Sequence, residues 1–292
     1  MQSPPEAQLL ELTPESGRAY PARVPEKYVY VDGVATLLRH RGPTTLPEVA
    51  PDTRRGEVVL FLHGTGGNSG EFDAALDGLA SDHSPLAFDM PAHGRSAGLD
   101  SLGSIEEMAD FARRLVDKLG LRPLVLVGHG LGGFVAQAFA LTSPERVRGL
   151  VLIGAGAHCE VPAEWIERWR RVTEGKEQRR LPVEGFAPET PREVFQRAFR
   201  EFLKTDPRAR YGDLRAAQGW SAADRLAELR APCLCVVGEH EREAATASVD
   251  ALLERAPTAR KVVLPGAGHE IPSEQPEALT RSIQQFLGEL AQ

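Results

Sequence analysis

The apolar positions of the chain fall into short runs that alternate with stretches of helical periodicity, such as 105–119 and 133–141. Runs this apolar are typical of strands that are covered on both faces, as in a parallel sheet. Strand alternating with helix predicts a mainly parallel α/β sheet with right-handed crossovers and helices on both faces. The strands of this sheet are predicted at 58–62, 86–88, 124–127, 150–153, 234–237 and 262–264.

The N-terminal part of the chain has a different pattern. Residues 1–27 are rich in proline and glutamate, show no sustained period and are predicted to form a loose arm. The next segment, YVYVDGVATLLRHRG, carries Asp32-Gly33 between two strand-like runs. This arrangement predicts a β-hairpin, which makes the run at 150–153 the sixth strand.

Amphipathic helices replace the alternating pattern between about 155 and 228. Trp165 and Trp169 are spaced i, i+4, and three phenylalanines continue one apolar stripe, namely Phe195, Phe199 and Phe202. An all-helical insertion within an α/β chain predicts a cap. The expected organisation is an arm (1–27), an α/β core (28–154 and 229–292) and a helical cap (155–228) inserted after the sixth strand.

The charge balance argues against one class of partner. The chain of 292 residues carries 41 acidic and 34 basic residues, a net charge of -7, without the clustered basic excess of a nucleic-acid binder. Within residues 164–210, however, 12 lysines and arginines accompany 9 acidic residues. This local excess either favours an anionic substrate or reflects solvated helix faces.

No membrane span or secretory signal is expected. The most apolar stretch, 123–141, is interrupted by glycines and His129, and the N-terminus has neither a basic nor an apolar region. The cysteines are an odd number in a long chain, which predicts free thiols at Cys159, Cys233 and Cys235. We therefore expect a soluble protein of the reducing cytoplasm. No residue cluster has metal-ligand spacing, and neither a metal nor a cofactor is implied.

Three glycine-rich motifs each follow a predicted strand, at the sheet edge where α/β folds bind ligands. In FLHGTGG (61–67), the step from His63 to Gly64 lets backbone amides point into a cleft, as an oxyanion hole requires, although a plain glycine turn has the same pattern. The second motif is LVGHGLGG (126–133). In PGAGH (265–269), His269 sits on a glycine turn after the last strand, which favours a catalytic role over a structural one.

The middle motif also fits the dinucleotide-binding fingerprint G-x-G-x-x-G. That fingerprint expects an acidic residue about 20 positions further on, at the end of the next strand. Here the corresponding positions are 152–154, and the first acidic residue after them is Glu160. The fingerprint also normally opens the first βα unit of its fold, whereas this motif lies in the middle of the chain. Nucleotide binding is therefore disfavoured.

Five segments together resemble motifs of the α/β-hydrolase family, from about residue 28 to the C-terminus. His63-Gly64 resembles its oxyanion turn, DMPAHGRS (89–96) its D-x-P-G-x-G-x-S loop, and 128–133 its nucleophile elbow. GEHE (238–241) and GAGH (266–269) resemble the turns that carry the triad acid and base. The resemblance implies Glu241 as acid, His269 as base, and the amides of Thr65 and Leu131 as oxyanion donors. The cap position resembles capped esterases, C–C hydrolases and haloperoxidase-like members.

One position departs from this pattern, because Gly130 stands where the elbow G-x-S-x-G has its nucleophile. Glycine has no side chain with which to form a covalent intermediate. Three hypotheses remain open: an engineered replacement of a catalytic serine, a native enzyme that uses His269 for acid–base chemistry, and a non-catalytic binding or scaffold protein.

The expected ligand is a small molecule with an apolar part, such as an ester, a thioester or a β-diketone-like compound. The pocket is expected between sheet and cap, lined by His63, Gly64, His129, Trp165 and Trp220. Neither nucleic acid nor membrane is expected as a partner.

Overall fold

The computed structural model describes residues 25–43, 46 and 49–291. Its centre is an eight-stranded sheet in the order β1-β2-β4-β3-β5-β6-β7-β8, in which β2 pairs antiparallel with β1 and β4 and all other neighbours are parallel. The mainly parallel α/β sheet predicted from the apolar runs is thereby confirmed. Its strands are β1 (Glu26–Val31), β2 (Val34–His40), β3 (Val58–Leu62), β4 (Ser84–Phe88), β5 (Leu124–His129), β6 (Val147–Ile153), β7 (Cys233–Gly238) and β8 (Ala259–Leu264).

The predicted hairpin is present as β1 and β2. Its turn residues Asp32 and Gly33 have φ angles of 48° and 82°, the left-handed conformation that a two-residue hairpin turn requires. Glu26 and Lys27, the last residues of the predicted arm, pair with β2. The rest of the predicted arm, residues 1–24, lies outside the described residues.

Nine α-helices connect and cover the strands within residues 49–291. The helix that begins at Ile105 is capped by Ser104, whose hydroxyl accepts a hydrogen bond from the Glu107 amide at 3.1 Å. The helices are α1 (Asp73–Leu79), α2 (Ile105–Lys118), α3 (Leu131–Thr142), α4 (Ala163–Thr173), α5 (Arg192–Phe202), α6 (Pro207–Ala217), α7 (Glu243–Arg255), α8 (Ile271–Glu274) and α9 (Pro276–Leu290).

The core consists of two apolar layers, one on each face of the sheet. Along β3, Leu60 and Leu62 pack with the helices α2, α3 and α7, while Val59 and Phe61 pack with α1 and α9. Successive side chains of a strand point to opposite faces, so a strand covered on both faces must be apolar throughout. This explains why these strands read as unbroken apolar runs in the sequence.

Helices α4, α5 and α6 lie between β6 and β7, within the segment 155–228 that was predicted to be helical. We call residues 155–228 the inserted segment. Trp169 and Phe202 are buried in it, whereas Phe199 is 42% exposed. The predicted phenylalanine stripe therefore does not face inward as a whole.

Membrane-spanning helices and metal-binding clusters are both absent from the part of the chain that the structure describes. No helix there is long and apolar enough to cross a membrane. No cluster of three histidine, cysteine or acidic side chains there could hold a metal ion. The three cysteines are free thiols, with Cys233 and Cys235 buried in β7.

Candidate active site

Gly130 forms the sharp turn between β5 and α3. Its φ and ψ angles are 48° and -113°, a conformation that L-residues other than glycine adopt only with strain. Its amide donates to the carbonyl of Ile153 on β6 at 2.8 Å, and its carbonyl accepts from the Gly133 amide at 2.9 Å. These bonds fix the turn between the sheet and the first turn of α3.

Glycine is required around this turn for two different structural reasons. A Cβ atom on Gly128 would lie 2.2 Å from the Gly132 carbonyl oxygen, and one on Gly132 would lie 2.1 Å from the Leu62 oxygen. A Cβ atom on Gly133 would lie 2.4 Å from the Ala155 Cβ. These three positions have no space for a side chain. At Gly130 the nearest atom is a histidine ring nitrogen at 3.3 Å, so a side chain there would point into the site.

The ring nitrogen that faces Gly130 is Nε2 of His269. This histidine follows β8, and its Nδ1 lies 2.9 and 3.0 Å from the two carboxylate oxygens of Glu241, which follows β7. The carboxylate accepts the Nδ1 proton, which leaves the Nε2 lone pair directed towards position 130. The structure thus places His269 between the Glu241 carboxylate and position 130.

The electrostatic surroundings of this pair keep the histidine neutral and the glutamate charged. Burial lowers the pKa of His269 below its ordinary value, the nearby Arg242 lowers it further, and Glu241 only partly opposes this effect. Burial alone would raise the pKa of the Glu241 carboxyl, but His269 and the Arg242 amide lower it overall. His269 is therefore a proton acceptor at neutral pH.

The turn after β3 holds Thr65, one of the two predicted oxyanion donors, in a defined conformation. The amides on either side of Thr65 are occupied, since Gly64 donates to Glu71 at 3.0 Å and Gly66 donates to Asp213 at 2.7 Å. The amides of Thr65 and Leu131 donate to no group within the described ranges. Leu131 is the first residue of α3, where helical N–H groups have no partner in the helix. Neither amide would therefore have to give up a partner in the fold to bind a ligand, although the Leu131 residue is only 3% exposed.

His129, which precedes the turn, joins three parts of the site. Its Nε2 donates to the His269 carbonyl at 3.0 Å, and its Nδ1 lies 3.5 Å from the Glu71 carboxylate. Burial opposes the charge, but Glu71 and the His269 carbonyl raise the pKa of His129 to about 9. His129 is therefore an imidazolium at neutral pH that connects the elbow to the histidine loop and the turn after β3.

Two of the predicted pocket residues do not line the site. His63 is buried beneath it, where its Nε2 accepts from the Met90 amide at 3.1 Å and its Nδ1 donates to the Gly64 carbonyl at 2.9 Å. Trp220 instead donates to Glu106 on α2 at 3.0 Å, with its ring 5.1 Å from that of Phe134. Neither side chain directs its polar atoms into the pocket, because His63 binds groups buried in the fold and Trp220 binds Glu106 at the protein surface.

A cavity of about 110 Å³ lies between the turn after β3, His269 and the inserted segment. Gly130 and Glu241 do not line it themselves, but both contact His269, which does. We call this space the central cavity. Of the predicted residues, those that line it are Gly64, Thr65, His129, Trp165 and His269.

Charged residues that were not predicted also line the central cavity. No local sequence motif predicts any of them. They are Glu71, Glu201, Arg210, Arg242 and Glu270. A second cavity of about 350 Å³ shares Trp165 and Arg242 with the first, and its lining also includes Phe134, Pro162 and three alanines. A Cβ atom on Gly154, which lines this second cavity, would lie 2.7 Å from His269 Nδ1, so both cavities adjoin the histidine.

A buried ion pair ties the inserted segment to the loop after β4, and its carboxylate also binds the turn after β3. His93 Nε2 lies 2.9 Å from a carboxylate oxygen of Asp213 on α6, and its Nδ1 lies 2.9 Å from the Pro91 carbonyl. Since both ring nitrogens face acceptors, His93 is doubly protonated. The same carboxylate accepts from the Gly66 amide at 2.7 Å and from Ser101 at 2.5 Å.

The chain belongs to the α/β-hydrolase family, whose model matches residues 59–281. It is 28% identical over 249 residues to a pimeloyl-[acyl-carrier protein] methyl ester esterase of Aeromonas hydrophila, covering 80% of this chain and 96% of that protein. It is similar in structure to a thermophilic esterase from Thermogutta terrifontis solved with malate, with a TM-score of 0.75 and 26% identity over 92% of this chain and 99% of that one.

A further match covers a smaller part of its relative. Over 97 residues the chain is 37% identical to the dihydrolipoyllysine-residue acetyltransferase component of an acetoin cleaving system from Cupriavidus necator, which is 33% of this chain and 26% of that protein. The chain thus spans about a quarter of that relative.

Proposed function

We propose that this member of the α/β-hydrolase family is an enzyme in which His269, oriented by Glu241, acts as general base without a covalent nucleophile. The contact between His269 Nδ1 and the Glu241 carboxylate, at 2.9 Å, is the observation that carries the proposal. A buried carboxylate that fixes one tautomer of a histidine, with the other nitrogen directed into a site, is the arrangement of a catalytic base. A structural histidine would have both nitrogens bound within the fold, as His63 has.

The reaction this arrangement supports is hydrolysis by a water bound to Nε2. His269 accepts a proton from the water as its oxygen bonds to the carbonyl carbon of an ester or thioester. The carbonyl oxygen becomes an anion that the amides of Thr65 and Leu131 stabilise. The imidazolium then returns the proton to the leaving oxygen or sulfur as that bond breaks, which releases an acid and an alcohol or thiol and restores the neutral histidine.

The substrate is proposed to be small, with its apolar part against Trp165. The central cavity, at about 110 Å³, is smaller than the roughly 300 Å³ at which drug-sized pockets begin. The second cavity beyond Trp165 and Arg242 has room for an apolar group. In this proposal the inserted segment acts as a cap, because Trp165 and Arg210 from its helices line the central cavity.

Slow hydrolysis of activated aryl esters is expected, and His269→Ala should reduce it about 100-fold or more, since a positioned base contributes roughly 10²–10⁴-fold. Glu241→Gln should also reduce it, because the amide no longer fixes the charge and tautomer of the ring. His83→Ala is the matched control, a partly buried histidine that lies outside both cavities. Steady-state rates with p-nitrophenyl acetate measure the effect. Equal rates in His269→Ala and the wild type would refute the proposal in favour of a binding protein.

The pH profile of this hydrolysis should report the lowered pKa of His269. The reaction requires the neutral ring, so kcat/KM should be constant at neutral pH and fall only on acidification through a pKa below the ordinary value of about 6.5. Arg242→Gln should move this limb towards higher pH, because Arg242 lowers the pKa of His269. A limb above pH 6.5 in the wild type would contradict the assignment.

A further inference from the structure

Arg210 is a cation of the central cavity without a carboxylate partner. Its Nη1 donates to the Thr65 carbonyl at 2.9 Å, while its buried Nε has no hydrogen-bond partner among residues 25–43, 46 and 49–291. The guanidinium lies 5.0 Å from the ring centroid of Trp169. No acidic side chain of the described residues forms an ion pair with it at 4 Å or less; Glu270, which lines the same cavity, and Asp213, which is paired with His93, act on its charge from further away.

Other buried cations of this chain have such partners. Arg39 contacts Asp73 at 2.5 Å and Glu26 at 3.1 Å, and His93 contacts Asp213 at 2.9 Å. A buried charge is costly unless it is paired, which explains these partners. Arg210 lines the cavity of His269 without such a partner, whereas Arg242, which also lines it, lies 3.7 Å from Glu241.

Arg210 also packs directly on the turn that carries the predicted oxyanion donor. A Cβ atom on Gly66 would lie 2.7 Å from the Arg210 Cβ and Cγ atoms, so the arginine stem covers this glycine. Burial lowers the pKa of Arg210 to about 10, which leaves it charged at neutral pH. Three acids close to the turn have other partners: Glu71 accepts from the Gly64 amide at 3.0 Å, Asp213 accepts from the Gly66 amide at 2.7 Å, and Glu201 contacts Lys204 at 2.6 Å.

We propose that Arg210 binds a carboxylate of the substrate, so that the substrate class is a small ester or thioester with a free carboxylate. A guanidinium offers a planar pair of donors that matches a carboxylate. The carboxylate would supply the missing partner of a cation on the turn next to Thr65, and would hold the scissile group near His269. This inference rests on the proposed function only in assigning the same cavity to the substrate.

Butyrate and butyramide are the probes that test this inference, because they have the same size and differ in charge. Isothermal titration calorimetry on the wild-type protein should show butyrate binding at least about 10-fold tighter than butyramide, since hydrogen bonds to charged groups are the stronger ones. Arg210→Gln should weaken butyrate binding about 10- to 100-fold and leave butyramide binding unchanged. Arg210→Lys should be intermediate, because it keeps the charge and loses the planar donor pair.

Arg179→Gln is the matched control. Its guanidinium also lies over the Phe202 ring, at 4.3 Å, and donates to the Thr205 carbonyl at 2.6 Å, but it does not line the central cavity. This variant should bind butyrate as the wild type does. Equal affinity of the wild type for both probes, or equal loss in both variants, would overturn the inference, and the first comparison needs no variant to fold.

The outcome is separable from that of the proposed function. Turnover of the neutral ester p-nitrophenyl acetate that depends on His269, without preferential butyrate binding, refutes the carboxylate site alone. Butyrate binding that depends on Arg210, without turnover that depends on His269, supports the carboxylate site and refutes the proposed catalysis.

Discussion

Gly130→Ser is expected to raise kcat on short aryl esters by several orders of magnitude, since removing the nucleophile of such a triad costs about 10⁶-fold. The Cβ atom at this position would lie 3.3 Å from His269 Nε2, which brings a serine hydroxyl within hydrogen-bond reach of the base. That distance is short for a carbon contact, so the ring must move by a few tenths of an ångström. The backbone amides of Thr65 and Leu131 remain whatever side chain is present. Steady-state kinetics on aryl esters and thioesters measure the gain.

The same substitution should lower the free energy of unfolding by about 1 kcal/mol, because serine is strained at a φ of 48°. Gly120→Ser is the matched control: it has a φ of 61° and no atom within 4 Å of an added Cβ. It should also lose stability through its unfavourable φ, without any gain in activity. Chemical denaturation of both variants makes this comparison.

Covalent labelling gives a second measurement of the gain. Gly130→Ser should react with a fluorophosphonate probe, and adding His269→Ala or Glu241→Gln should prevent the reaction. A well-folded Gly130→Ser protein that neither labels nor turns over any ester would mean that the site was not built around a serine.

Asp213→Asn is expected to destabilise the fold by about 3–5 kcal/mol, the range for breaking a buried pair by removing one partner. Asp213 and His93 are both almost fully buried, with side-chain exposures of 0% and 1%. The asparagine would leave the imidazolium without a counter-charge. Urea denaturation measures the effect. Asp206→Asn is the control on the same helix, because asparagine caps as well as the exposed aspartate and a change within about 0.5 kcal/mol is expected.

This loss of stability should depend on pH in a defined direction. Burial opposes protonation of His93, but Asp213 raises its pKa overall, so the contribution is complete below the unfolded value of about 6.5 and disappears as pH rises through the raised folded pKa. The lowered pKa of Asp213 makes its contribution disappear only on strong acidification. Asp213→Asn should therefore cost more stability at pH 6 than at pH 9, and the opposite order would exclude an ion pair.

The fold could be predicted because its strands are covered on both faces, which makes them short, unbroken apolar runs. The turns of the site could be predicted for a related reason, because each follows such a run and is rich in glycine. At Gly128 and Gly132 glycine is required because the backbones pack closely. A Cβ atom added there would lie 2.1–2.2 Å from a carbonyl oxygen. These signals are local, so a single sequence contains them.

The charged lining of the central cavity could not be predicted, because it depends on contacts between distant parts of the chain. Arg210 binds the carbonyl of Thr65, 145 residues away, and Asp213 binds the amide of Gly66, 147 residues away. Both residues lie on α6, and the sequence of this helix has no pattern that identifies the face directed towards the sheet. Trp220 shows the converse: it was predicted to line the pocket from its position in the inserted segment, yet it bonds to α2 instead.

The left-handed turn at Gly130 also restricts how this chain can change by mutation. Any other residue there begins with a strain cost of about 1 kcal/mol, a sizeable part of the 5–15 kcal/mol by which folded proteins are stable. Alanine would bring that cost and no new chemistry, so it should be disfavoured at this position. Serine beside an intact histidine and glutamate brings a new activity together with the cost. Position 130 should therefore favour two kinds of occupant, glycine or a working nucleophile.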